Sequence, residues 1–211
     1  MDEPGAPGSQ IDPSQKDAAA TAPPDAAPMA LVAARDIGFA VALLSLFGGA
    51  DAWRIATGTF FASTVSTLAG LVTGFGVGFL AHEWGHFVGA RISGATSPLR
   101  PASSLGFIFD FDLQGSSRHQ FDTMSIGGNV GHFSVVLLFL LALPLETPGQ
   151  VALLAGAIGN AVFASSVEFP VIAKSRSGMA PADALGTIPR DFLKRSGSAG
   201  LAAALLVLLF L

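Results

Sequence analysis

Long apolar stretches separated by short polar segments dominate the pattern of this chain. An α-helix needs about 20 apolar residues to cross the ~30 Å hydrocarbon core of a bilayer. The stretches expected to do so have the approximate ranges 36–53, 59–81, 127–145, 150–173 and 198–211. The last is short, because its unbroken apolar run covers only the 11 residues of 201–211, and it can cross only if 198–200 and part of the preceding segment join the helix. The pattern predicts an all-α polytopic membrane protein with about four to five transmembrane helices.

The boundaries of two stretches carry further predictions. The first is expected to begin at Asp36, whose side chain is a possible N-cap. The second runs uncharged from Thr59 to Ala81, which is 23 residues. In it Gly70, Gly74 and Gly78 recur at every fourth position. This spacing predicts a smooth helix face that another helix can approach closely.

The segment between the second and third stretches, 92–125, has a different pattern. Residues 107–113, with the sequence Phe-Ile-Phe-Asp-Phe-Asp-Leu, alternate in a way that predicts a β-strand with one apolar face. Two interpretations are open. The strand is either part of an ordinary small hairpin that closes the core, or an edge that pairs with an unwound segment of another protein.

Composition agrees with a membrane protein, since 51% of the 211 residues are hydrophobic and 12% are charged, against about 25% in soluble domains. The net charge of -4 arises within residues 1–28, and the remainder has ten acidic and ten basic residues. This balance gives no support to nucleic-acid binding. The chain has no cysteine, so disulfides and thiolate metal sites are excluded. Any metal must be bound by His, Asp or Glu.

Basic residues predict the orientation in the membrane, because Lys and Arg accumulate in cytoplasmic segments. With the N-terminus inside, ten of the eleven basic residues lie in cytoplasmic segments, and Arg54 alone lies outside. The N-terminal tail and the 174–197 segment are therefore expected in the cytoplasm. The second and fourth helices then end on that side.

A candidate metal site continues directly from the second stretch in the sequence His82-Glu83-Trp84-Gly85-His86. Residues four apart share one face of a helix, so His82 and His86 can bind a single zinc ion. Glu83 between them can act as general base toward a water molecule at the ion. Ionisable residues that continue an apolar helix are costly and usually functional.

The third zinc ligand is less clearly indicated. Glu168 is the leading candidate, because it lies near the cytoplasmic end of the fourth stretch, at the depth of His82 and His86. Its alternative is a neutral carboxyl group hydrogen-bonded between helices. His132 is the rival, as a ligand, a residue that supports a ligand, or a packing residue. Asn160 lies about 12 Å deeper than Glu168 along the helix. For its side chain, a functional role and an ordinary amide contact between helices are equally compatible with the sequence.

The residues from Ala81 to Ala90 resemble the HExGHxxxA signature of the site-2 protease family of intramembrane zinc metalloproteases. The eight-residue spacing from Asn160 to Glu168 is similar to that between Asn and Asp in the family's Asn-x-x-Pro-x-Pro-x-Leu-Asp-Gly motif. The segment 125–132 is similar to the start of the family's intervening helix. The resemblance covers about 78–173.

The resemblance implies zinc bound by His82, His86 and Glu168, with Glu83 as the base and Asn160 positioning the substrate. It implies hydrolysis of a peptide bond in or next to the transmembrane segment of another membrane protein. Residues 29–211 would form one membrane-embedded domain, with the catalytic core at about 58–173, after a disordered cytoplasmic tail at 1–28. No separate soluble domain is expected.

The second motif departs from the family pattern, because Glu168 replaces Asp, Phe169 replaces Gly and both prolines are missing. An inactive membrane-embedded relative that binds or scaffolds other proteins is therefore the alternative function. A metal transporter is a weaker third hypothesis, since its ionisable groups should line several spans rather than gather at one depth.

Overall fold

Six helices form the fold in the computed structural model, which describes residues 28–104 and 106–211. Their bounds are α1 Met29–Thr57, α2 Phe60–Ile92, α3 Arg118–Ala142, α4 Pro148–Arg176, α5 Pro181–Gly186 and α6 Phe192–Phe210. All except the short α5 are long and apolar enough to cross a membrane. The prediction of a helical fold with about five membrane-length helices is confirmed, and it is consistent with a multi-pass membrane protein.

The helices extend beyond the apolar stretches, and one predicted boundary is wrong. Asp36 is not an N-cap, because α1 begins seven residues earlier, after Pro28. The intervening residues are mostly good helix formers such as Ala and Leu, so the helix continues toward its N-terminus. At the other end of the chain α6 begins at Phe192, which gives the last apolar run its membrane-spanning length. The predicted disordered tail lies outside the described residues, apart from Pro28.

Helix α2 is packed between α3 and α4, and glycines on both of its faces allow the contact. A Cβ atom at Gly70 or Gly74 would collide with the backbone of Gly149 or Leu153 in α4. On the face toward α3, Gly85 meets the backbone of Gly127. The predicted close approach at the glycine strip is confirmed, and it brings the α2 and α4 backbones almost into contact.

Buried polar contacts tie the helices together at both ends of the bundle. At one end, Asp51 of α1 accepts hydrogen bonds from Ser66 of α2 (2.7 Å) and from Thr147, the N-cap of α4 (3.0 Å). At the opposite end, Asp36 of α1 accepts a hydrogen bond from the Trp84 indole of α2 (2.9 Å). Helix α2 therefore runs antiparallel to α1, and α4 begins at the end of the bundle where α2 begins.

The predicted β-hairpin between α2 and α3 is not formed. The described part of this segment contains one isolated antiparallel bridge, Leu99 with Phe109, flanked by two backbone hydrogen bonds. Pro98 has no N–H group to donate back to Asp110, so the ladder does not extend. Ile108 and Phe109 are both buried, so the residues do not alternate between two faces as a strand requires. The segment packs as an irregular cap against α2.

Candidate metal centre

The residues of the HEWGH sequence and Glu168 lie at the same level of the bundle. His82 is ten residues before the end of α2, and Glu168 is eight residues before the end of α4, or about 15 and 12 Å along the helix axes. The glycine contacts hold these two helices together. Close packing of α2 on α4 is therefore what brings the first motif to Glu168.

Three ligand atoms face one another at this level. The Nε2 atoms of His82 and His86 are 3.0 Å apart. Glu168 Oε1 lies 3.2 Å from His82 Nε2 and 2.8 Å from His86 Nε2. His82 is buried, and His86 and Glu168 are partly buried. The structure thus brings together the three residues predicted as metal ligands.

The neighbours of the histidines leave their Nε2 atoms free to bind a cation. His86 Nδ1 lies 2.9 Å from the carbonyl oxygen of Met124, which can only accept, so His86 donates from Nδ1. A neutral imidazole that donates from Nδ1 has its lone pair on Nε2. His82 Nδ1 is likewise engaged, at 3.0 Å from His132 Nδ1.

These dimensions fit a zinc ion. Ligands at 2.0–2.1 Å in a tetrahedron are about 3.3 Å apart, close to the observed separations of 2.8–3.2 Å. Two imidazole nitrogens and a carboxylate oxygen form a donor set that zinc accepts. The ion pairs of Glu168 among the described residues are those with the two histidines, so no Lys or Arg occupies the place of a cation. His82, His86 and Glu168 are therefore the residues that can hold a metal.

Glu83 lies beside this cluster, and in the described part of the chain one of its two carboxylate oxygens is unpaired. Its side chain is buried, and its Oε2 atom has no hydrogen-bond partner among the described residues. A buried carboxylate oxygen without a partner is costly and points to a functional role. Together with His86 and Glu168, Glu83 lines a cavity of about 450 Å³. The carboxylate is thus available to a molecule that enters this cavity.

The rest of the cavity is mainly apolar. Its walls come from the 94–117 segment, α3, α4, the polypeptide between α4 and α6, and the start of α6. They include five phenylalanine side chains: Phe107, Phe109, Phe111, Phe121 and Phe192. Arg100 and Asp110 also line it and form an ion pair with each other. A cavity of this size and lining is typical of ligand sites, which combine apolar walls with a few polar groups.

Two other predicted site residues do not join the three ligand atoms. His132 contacts His82 but is not within the ligand set, and its roles as a supporting residue or a packing residue stay predictions. Asn160 is buried next to Gly78, and its Nδ2 atom has no hydrogen-bond partner among the described residues. Because Asn160 does not line the cavity, its role toward a substrate stays a prediction.

Two groups of contacts around the centre were not expected from the sequence. Ser165 of α4 contacts both Asn129 and His132. Asp36 accepts from Trp84 within the first motif, while the neighbouring Arg35 donates to the carbonyls of Ala102 and Ser104. The available signal was a charged pair at the edge of an apolar stretch, which is costly there without a partner.

The chain matches no protein-family model, no curated protein and no solved structure.

Proposed function

We propose that this protein is an intramembrane zinc metalloprotease, similar to the site-2 protease family. The observation that carries the proposal is the convergence of His82, His86 and Glu168 within membrane-length helices, at mutual distances that suit zinc. When bound, zinc polarises a carbonyl group and lowers the pKa of water to near neutrality. The protein supplies the remaining functions through its own side chains.

Glu83 is the general base of the proposed reaction. It accepts a proton from the water molecule that attacks the peptide carbon and returns that proton to the departing amine. The buried carboxylate has one oxygen without a hydrogen-bond partner among the described residues and belongs to a residue that lines the cavity, so it is suited to this exchange. A purely structural metal site has no use for such a base.

The substrate we propose is a segment of another membrane protein, in or next to its transmembrane helix. The supporting feature is the cavity of about 450 Å³, whose aromatic walls adjoin Glu83, His86 and Glu168. Apolar side chains beside the scissile bond would be removed from water by these walls. Because a helix must be opened before its peptide bonds can be attacked, the substrate binds as an unwound segment.

The proposed orientation puts the centre near the cytoplasmic face. The ends of α2 and α4 that carry it lie at the same end of the bundle as Arg35, Arg100 and Lys174. Arg54 lies at the opposite end, near the Asp51 contacts. Because basic residues are enriched on the cytoplasmic side, the first end is inside.

The experiment that tests the function compares Glu83→Gln with the parent in cleavage of single-span membrane proteins and in bound zinc. Gln keeps the size of Glu but does not take up a proton, so cleavage should fall by at least ~100-fold while zinc is retained. Glu146→Gln makes the same chemical change at an exposed position of the opposite end and should behave like the parent.

Undiminished cleavage by Glu83→Gln contradicts this mechanism. If the parent binds zinc and cleaves no member of a broad substrate panel, the inactive binding or scaffolding protein becomes the better interpretation.

A further inference from the structure

A buried chain of hydrogen bonds runs from one proposed ligand to another. Asn129 Nδ2 is 2.6 Å from Glu168 Oε2, and Asn129 Oδ1 is 3.0 Å from Ser165 Oγ. Ser165 Oγ is also 3.2 Å from His132 Nε2. His132 Nδ1 completes the chain at 3.0 Å from His82 Nδ1. The three intermediate side chains are all buried, so water does not compete for these contacts.

The orientation of the Asn129 amide determines which group donates and which accepts in each hydrogen bond of this series. Its Nδ2 group faces two acceptors, Glu168 Oε2 and the backbone carbonyl of Ser125 at 3.1 Å. The reverse orientation would put Oδ1 against that carbonyl oxygen, so Nδ2 is the donor and Oδ1 the acceptor. The single hydroxyl proton of Ser165 is then donated to Asn129 Oδ1.

The direction determines which nitrogen of His82 is free. Because Ser165 has donated its proton, its oxygen accepts from His132 Nε2–H. Neutral His132 then accepts at Nδ1, and the donor is His82 Nδ1–H. His82 Nε2 is left with a lone pair, and this is the atom that faces His86 and Glu168. One consistent arrangement of protons therefore leaves the Glu168 carboxylate and the lone pair of His82 Nε2 both able to bind a cation.

We propose that Asn129, Ser165 and His132 are positioning residues, which hold the Glu168 carboxylate and the His82 ring in the arrangement that binds zinc. This inference rests on the metal-binding part of the proposed function. Contacts behind metal ligands typically change metal affinity by about 10–100-fold. His86 does not depend on the chain, since the Met124 carbonyl orients it.

The decisive experiment measures the zinc affinity of the full chain in lipid nanodiscs by competition with a chelator. Ser165→Ala removes one hydroxyl group and interrupts the chain, so we expect about 10–100-fold weaker zinc binding. Ser166→Ala is the matched control, because the neighbouring hydroxyl is exposed and bonds only to the Phe163 carbonyl among the described residues. This control should bind zinc as the parent does.

Two substitutions of His132 separate positioning from packing. His132→Phe keeps a ring of similar bulk but loses both nitrogens, so zinc binding should weaken as in Ser165→Ala. His132→Gln retains an acceptor and a donor on one end group, so it should restore most of the affinity. A packing role alone predicts the reverse order, with Phe tolerated and Gln harmful.

The outcomes distinguish this inference from the protease proposal. Parent-like zinc affinity in both Ser165→Ala and His132→Phe overturns the positioning role and leaves the protease proposal intact. A parent that binds zinc but cleaves nothing contradicts the protease, while the positioning role is still decided by the affinities. A parent that binds no zinc contradicts both. If His132→Phe does not fold, Ser165→Ala alone decides.

Discussion

The length of a single side chain decides how the fourth long helix reaches the two histidines. Glu168 is a residue longer by one methylene than the Asp of the family motif that its segment resembles. Its carboxylate oxygen nevertheless lies 2.8 and 3.2 Å from the two Nε2 atoms, so the added length is used to cross the gap between α4 and α2. The departure from the motif is therefore compatible with metal binding in this structure.

The first prediction is that Asp, the residue of the family motif, binds zinc less tightly at position 168 than the Glu of this chain does. In Glu168→Asp the carboxylate withdraws by about one C–C bond, or ~1.5 Å. Metal sites tolerate ligand displacements of only about 0.5 Å, so zinc affinity should fall by at least ~10-fold. Chelator competition measures this, with the exposed Glu146→Asp as the control. Equal or tighter binding by Glu168→Asp would mean that α2 and α4 adjust to the shorter ligand.

At the scale of helices, small residues set the distance at which ligands on different helices can meet. Gly74 of α2 lies against the Leu153 backbone, and Gly156 of α4 lies against the Leu71 backbone. Each glycine thus leaves room for the backbone of the other helix, and the two contacts are reciprocal. Lipid provides no hydrophobic force between helices, so such close packing is a main source of their association.

A second prediction follows from this contact. The Cβ atom in Gly74→Ala has to displace a backbone carbonyl, which cannot move without shifting α4. Overpacking of this kind costs about 1–3 kcal/mol, so the midpoint of thermal unfolding should fall. Gly48→Ala is the control, because a Cβ atom there meets nothing within 4 Å on an exposed face of α1. Equal unfolding midpoints for the two variants would show that the glycine contact does not hold α2 on α4.

At the scale of the molecule, the two ends of the bundle differ in chemistry. One end has the Asp51 contacts and Arg54, and the other has the proposed metal centre and the remaining described basic residues. The centre lies about 12–15 Å along the helix axes from the ends of α2 and α4, so it is inside the bundle and not at its end. The orientation of the bundle in the membrane therefore determines from which side water and the proposed substrate would reach the centre.

The third prediction concerns this orientation and uses the absence of native cysteine. Glu146→Cys, in the connection between α3 and α4, should react with a membrane-impermeant thiol reagent on intact cells. Ser177→Cys, at the end of α4, should react only after the membrane is permeabilised. Both positions are exposed, so a difference in labelling reports the side of the membrane. The opposite pattern would invert the proposed topology.

Several features follow from the sequence because they depend on residues close to one another in the chain. Membrane-length helices are determined by uninterrupted apolar stretches, since every backbone polar group must be satisfied within the helix itself. The shared face of His82 and His86 follows from helical periodicity alone. The glycine strip of α2 likewise predicted close contact, although not that α4 would occupy it.

Other features were decided only by the tertiary structure, because they depend on residues distant in the chain. The 107–113 alternation predicted a strand, but the missing donor of Pro98 and the burial of two consecutive residues against α2 prevented one. The role of Ser165 could not be predicted from the sequence, because its contacts with Asn129 and His132 form only where α4 packs against α3. Glu168 and His132 were the two candidates for the third ligand, and the packing of α2 on α4 brings the Glu168 carboxylate to the Nε2 atoms of the histidines, whereas His132 lies behind His82.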